Sequence, residues 1–289
     1  NMINSGAVVD DSEIARLIAN GSNFYTTPYY DNLGGEEQVY NGVNDFTYDT
    51  LTGGNYNGVV YGRMKAWDVV SFIKDFNSGA DPMEQIVNGV ANYWIKQRQR
   101  RLVKLINAIF EVEDEDFKNH TLDIASETDT ATELNKMGAT TINDAIVKSN
   151  GDNATGYTLA IMHSAVANEL AKIQLLEFSK YTDKAGITRN LPIAHANGMT
   201  IIINDEVPVV DSENATGEKE YTTFVLGQGA IRYAQAPVDK PAEISRNPEK
   251  NGSKDMIYTR IRETLAPYGF SFIGDISDDV GVPDEVLLD

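Results

Sequence analysis

DPMEQIVNGVANYWIKQRQRRLVKLINAIF, residues 81–110, is the longest helical pattern in the chain, and its reading decides the fold. Asp81 offers an N-cap, Pro82 takes the first helical position with its preset φ and absent N–H, and Glu84 stands at the third. Ile86, Val90, Tyr93, Trp94, Leu102, Leu105, Ile106, Ile109 and Phe110 then recur at helical spacing. The pattern predicts about thirty residues of helix, a rod of roughly 45 Å at about 1.5 Å per residue. Its apolar face is broken only within KQRQRRLVK, residues 96–104, where Lys96, Arg98, Arg100, Arg101 and Lys104 concentrate five of the 24 basic residues of a protein of net charge −19. The middle of the rod therefore faces something polar: nucleic acid, an acidic substrate, an acidic surface of another copy, or water.

Upstream, residues 1–62 hold eight acids (Asp10, Asp11, Glu13, Asp31, Glu36, Glu37, Asp45, Asp49) and one base, Arg16. After a short helix-like run from Asp11 to Ala19 the segment is rich in Gly, Asn and Tyr and has too little Leu and Ile for a core of its own. It reads as an extended arm. From Glu37 to Tyr48 and from Tyr56 to Lys65 the pattern is strand-like (Val39, Val43, Val59, Val60, Tyr61), with LTGGNYNG supplying turn residues, which predicts a long β-hairpin. A lone hairpin is marginal in water, so this one must lie on another surface. AWDVVSFIKDF, residues 66–76, reads as a short helix ended by NSG.

Downstream, nine acids and one base between Glu111 and Glu133 predict a solvated connection. Near Thr141 a second body begins: TINDAIVKSNG as an amphipathic helix, GYTLAIM as a buried strand, and HSAVANELAKIQLLEF as a helix with Ala165, Leu170, Ile173 and Leu176 on its apolar side. MTIIINDEVPVVD and YTTFVLGQGAIRYAQ are β-rich and joined by a polar turn. The last part is expected to place strands at Glu243 to Arg246 and Phe270 to Ile273 around a helical KDMIYTRIRETL, before an acidic end with no base after Arg262.

Composition excludes several classes of function. No apolar run approaches the about 20 residues a membrane helix needs, and NMINSGAVVDD lacks the basic and apolar regions of a secretory signal. The lack of cysteine removes disulfides, thiolate catalysis and cysteine metal sites. With 43 acidic against 24 basic residues, broad affinity for phosphate backbones is disfavoured. The three histidines, His120, His163 and His195, lack the spacing of a helix-borne zinc site. His163-Ser164 has no nucleophile-elbow motif around it and reads as a helix cap, while His195 reads as a loop residue before the MTIII strand. EDED (113–116) and SETDTATE lack the spaced ligands of a calcium loop, and GQGAI (227–231) lacks a dinucleotide fingerprint and reads as a strand bend or bulge. Paired carboxylates of a glycosidase leave no local signature, and nothing positive points to them. Residue by residue, the chain offers no catalytic, cofactor or metal set.

The order of parts resembles the major capsid protein of tailed double-stranded-DNA bacteriophages over nearly the whole chain. SGAVVDDSEIARLIANGSNFYTTPYYDNLGG resembles the N-terminal arm, DFTYDTLTGGNYNGVVYGRMKAWDV the extended loop, and GADPMEQIVNGVANYW the start of the spine helix. TLAIMHSAVANELAKIQLL, GMTIIINDEVPVV and YTTFVLGQGAI resemble the apical domain, and ISRNPEKNGSKDMIYTRIRETLAPYGFSF the returning peripheral segment. The resemblance implies an α+β phage capsid fold: arm 1–35, extended loop 36–66, spine helix and first part of the peripheral domain 67–140, apical domain 141–240, and returning peripheral segment with the acidic C-terminus 241–289. It implies a structural, non-enzymatic subunit without cofactors that self-assembles through pentamers and hexamers into an icosahedral head. Such a head encloses double-stranded DNA without sequence specificity and is assembled in the bacterial cytoplasm with scaffolding, portal and decoration proteins. The basic cluster is then expected to meet Asp31, Glu36, Glu37, Asp45 and Asp49 of an adjacent subunit; a solvated face and packaged DNA are the competing readings. An encapsulin-like compartment shell would share the fold, and a secreted carbohydrate-active or surface-layer protein is the alternative from another class.

Overall fold

The computed structural model describes residues 6–43, 45–71, 82–111, 119–125, 135–138, 140–151, 156–182, 188–196, 198–212, 217–274 and 281–288, with backbone alone at 177–182, 188–194 and 196. In chain order the strands are β1 (Val8–Asp10), β2 (Phe24–Tyr30), β3 (Gly53–Val59), β4 (Tyr61–Val70), β5 (Tyr157–Met162), β6 (Glu177–Thr182), β7 (Thr188–Ala196), β8 (Met199–Ile203), β9 (Val209–Asp211), β10 (Lys219–Tyr221), β11 (Phe224–Gly227), β12 (Ile231–Ala236), β13 (Ala242–Asn247) and β14 (Lys254–Pro267). The helices are α1 (Ser12–Ile18), α2 (Pro82–Phe110), α3 (Thr141–Asn150), α4 (Ser164–Lys172) and α5 (Asp284–Leu287).

β14 organises the first sheet. β4 runs antiparallel along one edge, from Lys254↔Val70 to Glu263↔Tyr61. On the other edge β13 pairs with residues 254–259 and β12 with 262–267, and β1 adds to β12 in parallel. The helix expected over KDMIYTRIRETL is therefore a strand. Ile257, Thr259, Glu263 and Leu265 are buried at every second or fourth position, a two-residue period in a run rich in β-branched residues. Tyr61, Ile231, Tyr233 and Leu265 share a cluster with Leu102, Val103, Leu105 and Ile106 of α2. Ala234, Ala236 and Ala266 instead share one with Ile14 and Ile18 of α1. Alternation thus places α2 on one face of the sheet and α1 on the other.

The run Asp11 to Ala19 is helical as expected, with Asp11 as its N-cap: Oδ1 accepts from Glu13 N–H (2.8 Å) and Ile14 N–H (3.0 Å). Ile14 and Ile18 are fully buried, so this part of the expected arm lies on the chain's own sheet. The expected hairpin takes another form. β3 pairs antiparallel with β2 rather than with residues 37–48, which carry no strand among the described residues. Glycine explains the choice, because a Cβ at Gly58 would lie 2.1 Å from the Tyr25 ring. Only a residue without a side chain lets that ring lie across β3. Ala66–Val70, expected to begin a helix, instead end β4, whose Trp67 meets Tyr93 of α2 edge to face (5.1 Å). Residues 72–76 of that expectation, the Asp81 cap and EDED lie outside the described residues.

The second sheet has the order β11-β5-β8-β7-β6, with β5 and β8 parallel and α4 in the crossover between them. α3 and β5 form where expected. α4 stops at Lys172 rather than continuing to Phe178, and Gln174 follows with φ of 60°. The remainder begins the β6–β7 hairpin, which places His195 in a strand opposite Glu177 and Thr200 instead of in a loop. Phe270–Ile273, expected as a strand, has no ladder partner. The register shift at Leu226/Gly227 is the irregularity expected of GQGAI.

Candidate functional site

Helical geometry splits the basic cluster into two faces. At about 100° per residue, positions four apart lie on one side, and Lys96, Arg100 and Lys104 form an exposed stripe one turn apart. Arg98 and Arg101, three apart, point at the sheet. Arg101 is 7% exposed, and Leu102, Val103, Leu105 and Ile106 beside it are buried.

The polar surface that receives these arginines belongs to the same chain. Glu263 on β14 is fully buried beneath α2. Arg98 donates to its Oε2 from Nε (2.9 Å) and Nη2 (2.6 Å), while Arg101 Nη1 lies 3.7 Å from Oε1. The Tyr61 hydroxyl donates to Oε1 (3.2 Å) and the Tyr233 hydroxyl to Oε2 (3.0 Å). The guanidinium of Arg98 lies over the Tyr233 ring (4.9 Å) and that of Arg101 over the Tyr61 ring (4.6 Å). Burial, reinforced by the Glu263 charge, pushes both phenols far above their usual pKa. Burial works against the charge of Arg98, but its hydrogen bonds to Glu263, the charge of that carboxylate and the two phenols together outweigh this and raise its pKa. Four donor atoms hold the Glu263 carboxylate in one position beneath the helix.

A second carboxylate extends the network. Asp284 Oδ1 accepts from Arg101 Nε (3.2 Å) and from Arg63 Nη2. Its partial burial raises the pKa, yet the bond from Arg63 and the charges of Arg101 and Arg63 prevail and hold it below the usual carboxylate value. Trp94 Nε1 donates to Thr259 Oγ1 (3.1 Å), another tie from helix to sheet. Arg100 pairs with Glu206 at the surface (2.6 Å). Among the described residues Lys96 and Lys104 have no ion pair.

The acids expected to meet this cluster lie elsewhere. Asp31, Glu36, Glu37, Asp45 and Asp49 are exposed on the segment between β2 and β3, and Asp31 accepts from Thr52 Oγ1 (2.5 Å). Leu33, Val39, Tyr40, Val43, Phe46 and Tyr48 on this segment are all more than two-thirds exposed, an apolar load left uncovered among the described residues. The structure thus commits Arg98 and Arg101 to Glu263 and Asp284 inside the chain and brings none of the five bases onto the five loop acids.

Nothing in the local sequence pattern joins Tyr61, Tyr233, Glu263 and Asp284, which are distant in the chain, and KDMIYTRIRETL satisfies a helical spacing. As a strand, its register places Glu263 opposite Tyr61 and under the arginines. His163 caps α4 as expected, its Nδ1 accepting from Ala165 N–H (3.1 Å), while Ser164 N–H donates to Asp205 Oδ1 (3.0 Å). No cluster of three or more metal-ligating side chains occurs among the described residues, and no described helix is long and apolar enough to cross a membrane.

A sheet bridged by one long helix, with a projecting loop of acids and exposed aromatics, defines a shell-subunit class of protein, and comparison with known proteins bears this out. The major capsid protein of Bacillus phage SPP1 is 30% identical over 285 residues, 98% of this chain and 82% of that protein. The chain belongs to the phage major capsid protein family, and its role is that of a structural capsid-shell protein of the virion. Among solved structures, the capsid of Ralstonia phage GP4 matches with a TM-score of 0.65 at 10% identity, over 90% of this chain and 82% of that one. The acid-stable capsid of Helicobacter pylori bacteriophage KHP30 matches with 0.53 at 13%, over 90% and 79%. At those identities the likeness shows the fold, which is the α+β phage capsid fold. The chain matches no protein-family model.

Proposed function

We propose that this chain is the repeating subunit of an icosahedral phage head, built of pentamers and hexamers around packaged double-stranded DNA that it holds without sequence specificity. It is assembled in the cytoplasm of the bacterial host with a scaffolding protein, a portal and decoration protein, and its contribution is structural rather than catalytic. Within it, residues 1–35 serve as arm, 36–66 as extended loop, 67–140 as spine and first peripheral part, 141–240 as apical domain and 241–289 as returning peripheral segment.

The observation that carries this reading is complementarity. Asp31, Glu36, Glu37, Asp45 and Asp49 stand on a loop with no basic residue between positions 17 and 62, and Lys96, Arg100 and Lys104 form an exposed stripe on α2. The loop of one subunit meets that stripe on its neighbour, its aromatics buried in the same contact, while Arg98 and Arg101 remain inside. Exposed pairs of this kind contribute only about 0–1 kcal/mol each, so they set register and assembly rate more than affinity. Gradient sedimentation followed by negative-stain electron microscopy tests the proposal on the unmodified chain and on a Lys96→Glu, Lys104→Glu double variant. Closed shells from the first and free subunits from the second are expected. Monomers persisting from the unmodified chain when scaffold is supplied would end the shell reading; normal shells from the double variant would remove the stripe from it.

A further inference from the structure

β3, into which the projecting loop runs, and β4, which follows it directly, are both gripped by the C-terminal part of the chain. On β3, Asn57 N–H donates to Ser271 Oγ (3.0 Å) and its carbonyl accepts from Phe272 N–H (2.9 Å). On β4, Gly62 N–H donates to the Gly281 carbonyl (3.2 Å), and Arg63 Nη1 donates to the carbonyls of Gly281 (3.1 Å) and Val282 (2.8 Å). The other terminal nitrogen of Arg63 reaches Asp284 Oδ1, the same oxygen that accepts from Arg101 Nε on α2. Both guanidiniums lie on the Tyr61 ring, 5.3 and 4.6 Å from its centre. Val282 and Leu287, buried in the main cluster, anchor the segment on either side of Asp284.

We propose that residues 281–288 act as a strap across the root of the extended loop and that Asp284 is its positioning residue, setting the direction in which the loop leaves the body by tying Arg63 to Arg101. The loop's role in assembly rests on the reading above; the strap is a property of the single subunit. Asp284 is the carboxylate bonded to both arginines, so without its charge two cations stand beside one ring with no anion bonded to both. Arg63 then keeps its carbonyl bonds but loses its tie to the helix, and the start of β4 loosens at Gly62 while the rest of its ladder with β14 holds.

Hydrogen–deuterium exchange on the unassembled full chain tests this with Asp284→Asn and Arg63→Gln, which remove the bond from opposite sides, and with Glu206→Gln, which removes a helix-to-body pair remote from the loop. In both strap variants the backbone amides at positions 62 and 63 should exchange about tenfold faster, the effect of one lost charge-assisted hydrogen bond on local opening, with the α2 amides unchanged. Asp284→Glu should restore part of the protection and Glu206→Gln should leave it unaltered. Unchanged exchange at Gly62 in either strap variant, equal acceleration in Glu206→Gln, or unfolding of the whole subunit would each overturn the proposal. Because no shell is needed, failure here is separate from failure of the shell reading.

Discussion

Glu263 meets four donors, and each depends on the others being in place. Removing Arg98 leaves a carboxylate under α2 without its bidentate partner; replacing Glu263 by Gln leaves two buried guanidiniums facing a neutral amide. Arg98→Ala and Glu263→Gln should each lower unfolding stability by on the order of 3–5 kcal/mol, measured by urea denaturation of the subunit. A loss below about 1 kcal/mol would mean that water reaches the pair. Asp284 gives a pH signature. Its folded pKa lies below the unfolded value, so its contribution is full above the ordinary carboxylate pKa of about 4 and is lost as pH falls through the lower folded value. Melting curves of the unmodified protein and Asp284→Asn should therefore differ at neutral pH and converge in acid. The basic run itself was legible, but its division was not: as a string, KQRQRRLVK is one patch, and only the helical period combined with the burial of Glu263 separates the inward Arg98 and Arg101 from the outward Lys96, Arg100 and Lys104.

At the scale of elements, α2 could be read because its first-turn proline and its apolar spacing agree over many residues. β14 could not. Its Ile257, Ile261, Glu263 and Leu265 satisfy a loose helical pattern as well as a strand one, and local spacing cannot tell which faces will be covered. At residues 263–266 both are, by α2 and by α1, which interrupts there the two-residue period of the strand. The loop strands were recognised as β, but their pairing was missed, since the partner of Gly53–Val59 is fixed by glycine–tyrosine fit with Phe24–Tyr30 rather than by turn residues. Gly58→Ala should accordingly displace the Tyr25 ring and break its hydroxyl contact with Thr264 (3.1 Å), loosening β2–β3 while leaving α2 intact; amide exchange along the two strands would show it. Leu102→Ala, in the cluster shared by both sheets, should cost about 2–5 kcal/mol, read from the same denaturation curves.

For the whole molecule, a net charge of −19 keeps free subunits apart, and attraction must come from local features, either reversals of sign or exposed apolar groups. If loop acids and the α2 stripe guide association, light scattering should show assembly slowing as salt rises from about 50 mM to about 500 mM, because screening shortens the reach of exposed charges while buried pairs such as Arg98–Glu263 are spared. Salt-independent assembly would place the guidance on the exposed aromatics instead. The central position of β14 also has a consequence for synthesis. The strand that β4, β12 and β13 all require lies at residues 254–267, and its ties to Tyr61 span 202 positions of sequence. Pairings this distant close slowly and only once the distant strand exists. A nascent chain that has not yet reached residues 254–267 thus carries its loop and its long helix without the sheet that orients them, and subunits become competent to join one another only once that strand has been made.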